Sequence, residues 1–206
     1  MPVSIYGAVE GAVDEAILRR LVMHVGAVPG PVFGKNGKRD LRQRLPGYNR
    51  AAALAPWLVL VDLNADASCA PPLKANWLPT PASLMCFRVA VRESEAWLFA
   101  DRERIAGFLR VARNKVPQDP EALADPKLEM VNLAARSRAR EIREDMVPRP
   151  GSGRSVGPAH TSRLIEFASD AANGWRPQIG AQVSESLSRC ITRLRALTGR
   201  AQGSKR

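Results

Sequence analysis

Thiols and imidazoles are scarce in this chain, which has three cysteines and two histidines in 206 residues. Cys69, Cys86 and Cys190 are odd in number, far apart and free of any Cys-x-x-Cys spacing, while His24 and His160 stand alone. Neither a disulfide framework nor a zinc site is expected. Long apolar runs are also missing: the longest stretch, Ala51 to Val61, is broken by Pro56 and falls short of the roughly 18 or more residues of a bilayer span. The N-terminal Met-Pro-Val-Ser-Ile-Tyr lacks both a basic n-region and a small-residue cleavage site, so no signal peptide and a cytoplasmic location are expected. Aromatics make up only 5% of the chain. That assigns Trp57, Trp77, Trp97 and Trp175 to the core or a lid rather than to base-stacking platforms.

Acidic residues are outnumbered, 20 against 31 Lys and Arg, for a formal net charge of +11. A balance of this kind favours an anionic partner, with nucleic acid first among them and no membrane. The excess is uneven. Residues 149–206 carry 10 basic and 3 acidic groups, which makes the C-terminal helices and tail the basic pole and any nucleic-acid contact there salt-sensitive. With so few soft ligands, a bound metal would be held by carboxylates, which suits Mg²⁺ or Mn²⁺.

Strand and helix patterns alternate. Residues 3–9 read as a strand, and from Gly11 a helix presents Val13, Ile17, Leu18, Leu21, Val22 and Val25. Gly26 to Gly37 reads as a loop, and Lys38 to Ala55 as a basic helical stretch broken near Pro46-Gly47. Trp57 to Val61 is an almost wholly apolar strand of the kind buried in a parallel sheet. A coil with Pro71, Pro72, Pro79 and Pro81 precedes a third apolar run, Leu84 to Val91, and then a helix carrying Trp97, Leu98, Ile105, Phe108 and Leu109. From Lys127 onward three helical stretches follow: Leu128 to Arg143, Thr161 to Ala172 and Val183 to Leu197. The expected fold is therefore α/β: a Rossmann-like open sheet, mostly parallel and flanked by helices, over residues 1–125. A basic helical extension, 126–206, packs on it.

In such a sheet ligands bind beyond the carboxyl ends of the strands. Glu10 follows the first strand, Asp62 and Asp66 the next apolar strand, and Glu93 and Glu95 the third, so five carboxylates converge on one rim. Carboxylates crowded together raise one another's pKa unless a cation neutralises them, which points to a divalent ion. Asp14 stands in the first turn of the first helix, where a carboxylate also complements the helix dipole.

These residues carry a resemblance. Val9-Glu10-Gly11 with Asp14, VLVDLNAD from Val59 to Asp66, and RVAVRESEAWLFAD from Arg88 to Asp101 resemble a Toprim-type domain. More closely, they resemble the Toprim-like family catalogued as domain of unknown function 4276. The similarity extends to GKNGK (Gly34 to Lys38), Asp125-Pro126-Lys127 and Val156-Gly157-Pro158. It implies a Toprim-like core and Mg²⁺- or Mn²⁺-dependent phosphoryl transfer on nucleic acid, as in nucleases of the overcoming-lysogenization-defect type. Position by position it makes Glu10 the Toprim glutamate, Asp62 the first aspartate of Asp-x-Asp, Asp14 the acid four positions after the glutamate, and Glu93 and Glu95 a Glu-x-Glu-x-Trp motif. Asn64 departs from the pattern, because its amide oxygen can coordinate but adds no charge, which leaves either a weaker metal site or compensation by Asp66. Metal ligands are thus expected from Glu10, Asp14, Asp62, Asn64, Asp66, Glu93 and Glu95, with Glu10 and Asp62 as the catalytic pair. The resemblance favours DNA over RNA, an ABC-type ATPase partner in anti-phage defence or genome maintenance, and leaves room for a homodimer.

A topoisomerase would need a tyrosine nucleophile, and neither Tyr6, within the first strand, nor Tyr48, in the basic stretch, suits that role. Hydrolysis by water is the simpler expectation. Gly34 to Arg39 lacks P-loop spacing, but its glycines with Lys35, Lys38 and Arg39 suit a sugar-phosphate backbone, as does Arg154 in Gly151 to Arg154. VLVDLNAD also resembles the phosphoacceptor strand of a receiver domain, but Val9-Glu10-Gly11 does not supply the acidic pair that domain needs. The competing expectation is a non-catalytic subunit that binds nucleic acid or docks to an ATPase, with a metal site degenerate at Asn64.

Overall fold

The computed structural model describes residues 2–203; the basic tail residues Lys205 and Arg206 lie outside them. Four strands, β1 (Ser4–Val9), β2 (Val28–Gly34), β3 (Trp57–Asp62) and β4 (Met85–Ala90), form one sheet in the order β2-β1-β3-β4. Every pairing is parallel. Between them run α1 (Ala12–His24), α2 (Lys38–Ala51) and α3 (Ala70–Trp77). After β4 come α4 (Glu95–Phe99), α5 (Arg102–Leu109), α6 (Pro126–Ala135), α7 (Arg140–Met146), α8 (His160–Ser169), α9 (Pro177–Gly180) and α10 (Glu185–Gly203). No described helix is long and apolar enough to cross a membrane.

Two cores follow from the period-2 alternation of the strands. Ile5, Val9, Leu58, Leu60, Cys86 and Ala90 face one way, onto α1 and the helices after β4. Ala8, Val59, Val61, Phe87 and Val89 face the other way, onto Leu41 and Leu45 of α2 and Leu73 of α3. The chain moves outward from β1 to β2 and then returns past β1 to β3. Right-handed crossovers accordingly put α1 on one face and α2 and α3 on the other. The strand order therefore reverses between β1 and β3, and their carboxyl ends flank the switch point, where ligands bind in sheets of this class. Glu10 and Asp62 stand at those two ends.

Five segments differ from the sequence expectation. The stretch read as a loop contains β2, VPGPVFG. Its prolines hide the strand, but β2 pairs only with β1, and an edge strand tolerates residues that cannot donate to a ladder. At its end Gly34 has φ +86, and a Cβ there would stand 2.2 Å from the Val9 carbonyl oxygen, so the closest approach of β1 and β2 requires glycine. The coil with Pro71 and Pro72 is α3, because both prolines fall in the first turn, where a missing N–H breaks no helical hydrogen bond. Residues 38–51 are one helix running through Pro46, held down by Leu41 and Leu45. Two long helical readings are each divided, into α4 and α5 and into α6 and α7.

The helices after β4 share the first core with the sheet, with Trp97, Phe99, Leu133, Leu164, Phe167 and Leu194 fully or almost fully buried. Polar bonds fix them there. Trp97 Nε1 donates to Ser186 Oγ at 2.7 Å, and Trp175 Nε1 donates to the Trp97 carbonyl at 2.9 Å. Asp101 is completely buried and accepts from Arg176 at its backbone N–H (3.0 Å), Nε (2.9 Å) and Nη2 (2.8 Å).

Candidate functional site

The rim of the sheet is built by three turns that leave the core at the same end. Non-glycine residues take left-handed backbone just after three of the strands: Lys35 (φ 73) after β2, Asn64 (φ 50) after β3 and Arg92 (φ 62) after β4. Conformations of this kind cost free energy and persist where the surroundings hold them. Here Lys35 N–H donates to the Val9 carbonyl and Asn64 N–H to the Arg92 carbonyl, which ties the turns together.

A chain of hydrogen bonds then links the acidic residues. Glu10 Oε1 accepts from the Asp62 N–H at 2.8 Å, and Asp62 Oδ1 accepts from the Ser94 N–H at 2.8 Å. Ser94 Oγ donates to Asp14 Oδ1 at 2.5 Å, and Asp14 Oδ2 accepts from the Gly11 N–H at 2.8 Å, which closes the circuit beside Glu10. Glu93 Oε2 accepts from the Lys127 N–H at 3.0 Å, and Lys127 Nζ lies 3.8 Å from Glu95 Oε1. Asp14 and Glu95 are buried, with 7% and 4% of their surface exposed, and Glu10, Asp62 and Glu93 are partly buried.

Burial and mutual repulsion act in the same direction on these groups. Burial pushes the Glu10 carboxyl up to about 7, against the lowering effect of its bond from Asp62 and of Lys38, with Asp14 and Asp66 adding to the rise. Asp62 is raised well above the usual carboxylate range, by burial first and then by Asp14, Glu95, Glu10 and Glu93. Glu95 is raised to about 7 by burial, with Lys127 opposing and Asp14 and Glu93 reinforcing. Asp14 is raised by burial despite the Ser94 and Gly11 bonds. Lys127 is the counterweight. Burial alone would lower its ammonium, but Glu95, Glu93, Asp62 and Asp14 together raise it.

The structure thus brings together Glu10, Asp14, Asp62, Glu93 and Glu95, from three strand ends and the first turn of α1. Asp66 is more exposed and pairs with Lys38, close enough to Glu10 to affect its titration. Asn64 sits in the left-handed turn between Asp62 and Asp66, joined to Arg92 through its backbone. Lys38 is turned inward, donating from Nζ to the Asp62 carbonyl at 2.6 Å. Lys35 pairs with Glu15 at 2.9 Å, while Arg39 and Arg154 are exposed. Arg39 lines a cleft of about 480 Å³ between α2 and α3, together with Lys38, Arg42, Asp66 and Trp77. Arg42 lies over the Trp77 ring, 5.3 Å from its centroid.

Two members of the site escape sequence reasoning. Ser94, completely buried, bridges Asp62 to Asp14 and is the middle residue of Glu-x-Glu. Lys127 arrives on the first turn of α6, set by the Asp125 cap, whose Oδ1 accepts from the Leu128 N–H at 2.8 Å, and by Pro126 in the first turn. The only sequence signal for it is the Asp-Pro-Lys helix start. Behind it His160 is 2% exposed, its Nε2 is without a hydrogen-bond partner among the described residues, and burial and then Lys127 push its pKa down to about 4.

The donor set is all carboxylate oxygen, crowded and under-neutralised, which matches a hard divalent cation. As the side chains stand, their oxygens are engaged with backbone N–H groups, Ser94 and Lys127, and no three His, Cys, Asp or Glu among the described residues form a group that could hold a metal ion. Accepting one would require Glu93 and Glu95 to exchange Lys127 for the ion. No protein-family model, curated protein or solved structure matches the chain.

Proposed function

We propose that this chain is a Toprim-type nuclease that hydrolyses phosphodiester bonds in nucleic acid, DNA before RNA, with Mg²⁺ or Mn²⁺ bound at the sheet rim. The observation that carries this reading is the crowding of Asp62, whose carboxyl is raised by burial and by four other acids delivered from the ends of β1 and β4 and from α1. Glu10, Asp62, Glu93 and Glu95 would hold the metal, with Asp14, Asn64 and Asp66 behind them. Divalent ions bound there would supply Lewis-acid stabilisation of phosphate charge and water activated as a nucleophile.

The residues of the chain do the rest. Ser94 holds Asp62 and Asp14 in register by donating to both. Lys38 fixes the turn after β3 through the Asp62 carbonyl. Lys127 offsets part of the charge of Glu93 and Glu95 before substrate arrives, and facing a phosphate its ammonium would balance the anion's charge instead. Arg39 and Arg42, in the cleft that meets the rim at Lys38 and Asp66, offer contacts to the sugar-phosphate backbone, which position without reading sequence. In keeping with the resemblance, the setting we propose is cytoplasmic, beside an ABC-type ATPase in phage defence or genome maintenance.

The second reading, a non-catalytic subunit that binds nucleic acid or docks to an ATPase, is favoured by one observation: the rim carboxylates are already engaged by backbone N–H groups, Ser94 and Lys127, with no three of them grouped as metal ligands. Nicking of supercoiled DNA with Mn²⁺ separates the two. Wild type is expected to nick, and Asp62→Ala and Glu10→Ala to lose about a hundredfold or more in rate, the scale of losing charge stabilisation in a transition state. Nicking that persists in both variants would remove the rim from the chemistry.

A further inference from the structure

Away from the rim, three cations meet at the open edge of β4. Lys74 on α3, Arg88 on β4 and Arg193 on α10 all wall the same two cavities, of about 490 Å³ and about 70 Å³. The larger adds Arg189 and the smaller Arg200, and no Asp or Glu lines either one. Arg189 is held by Glu185, but Lys74, Arg88 and Arg193 have no ion pair among the described residues. Arg88 Nε is buried and has no hydrogen-bond partner there. Burial and then Arg88 and Arg193 press the Lys74 ammonium below its usual range, so the three charges feel one another.

Gathering like charges around a cavity that no acid lines costs free energy, and an anion seated among them removes that cost. The larger cavity falls within the size range of small-ligand sites. Guanidinium forks pair bidentately with carboxylate and phosphate alike, and three cations around one cavity favour the more highly charged phosphate. None of the rim acids lines either cavity, so this site stands independently of the hydrolytic reading.

We propose that Lys74, Arg88 and Arg193 form a phosphate-binding site between α3, the edge of β4 and α10, which takes the phosphate of a nucleic-acid backbone or of a free phosphate compound. Titration calorimetry in EDTA at constant ionic strength, with pyrophosphate and separately with a short DNA duplex, tests it. Wild type binds, and Lys74→Gln and Arg193→Gln each weaken binding about tenfold or more, the scale of one charge-assisted hydrogen bond. Arg195→Gln makes the same charge change on α10, at a side chain that lies by His24 instead, and leaves affinity as in wild type. Unfolding midpoints of Lys74→Gln and Arg193→Gln at or above wild type in anion-free buffer show that the fold is intact and that repulsion has been relieved. Pyrophosphate binding identifies a free phosphate as sufficient, and binding of the duplex alone assigns the site to the polymer backbone. Absence of binding to either, or equal weakening by Arg195→Gln, overturns the proposal.

Discussion

Replacing Glu95 by glutamine is expected to stabilise the metal-free protein at pH 8 by about 3 kcal/mol and to leave it nearly unchanged at pH 4. Glu95 is 4% exposed, and its carboxyl is raised from 4.5 to about 7, by burial first and by Asp14 and Glu93 against Lys127. Between those values the folded protein keeps a proton that the unfolded chain has released. Stability is therefore fully present below pH 4.5 and is lost as pH rises toward about 7, above which the deficit is constant. Glutamine has the same shape and cannot ionise, so the variant skips that loss. Urea unfolding of both proteins in EDTA at pH 4, 6 and 8 measures the difference, which should grow with pH. A difference that is flat with pH would show that Glu95 carries no burial penalty. Adding Mn²⁺ at pH 8 should shrink or reverse the advantage, because the ion gives wild type the neutralising charge that the variant no longer needs.

The second large effect lies just beyond the far end of α4. Arg176→Met is expected to lose about 3–5 kcal/mol, the usual result of stranding one member of a buried ion pair. Asp101 is 0% exposed and would keep only its backbone donors, the N–H groups of Arg176 and Arg104. Adding Asp101→Asn to Arg176→Met should restore part of the loss, since it removes the uncompensated charge. Denaturant midpoints of the two single variants and the double variant provide the cycle. A loss under about 1 kcal/mol in Arg176→Met would be the behaviour of a surface pair and would mean that α9 is not locked to α5 through this contact.

How far the sequence reveals this molecule depends on which physical cue each element carries. WLVLV announces a strand buried on both faces, and β3 is the interior strand whose residues 57–61 are all buried. VPGPVFG carries the opposite cue, since Pro29 and Pro31 argue against a strand unless it lies at an edge, and edge position is a property of the sheet rather than of the segment. APPLKANW misleads for a related reason: proline breaks a helix interior but opens a helix well, and the first turn is visible only once the cap at Cys69 is known.

The rim follows the same logic. Glu10, Asp62, Glu93 and Glu95 are legible because each stands where an apolar strand ends, and parallel strands put their carboxyl ends on one side. Ser94 and Lys127 are not, because a serine between two glutamates and a lysine in a helix's first turn are unremarkable until α6 docks against the end of β4. The basic cluster of Lys74, Arg88 and Arg193 spans 119 positions of sequence and has no local pattern at all. His160 looks isolated in the sequence, and only the fold places it behind Lys127.

The central claim is that the crowded carboxylates at the sheet rim bind a divalent cation. Thermal unfolding of wild type and Asp62→Ala against increasing Mn²⁺ tests it with neither substrate nor partner. Ligand at about 100 times its Kd adds about 2.7 kcal/mol, and at about 2 to 4 °C per kcal/mol for a chain of this size the wild-type midpoint should rise by about 5 to 11 °C. The account predicts that rise in wild type and little or none in Asp62→Ala. An unmoved wild-type midpoint, or an equal rise in both proteins, would contradict it.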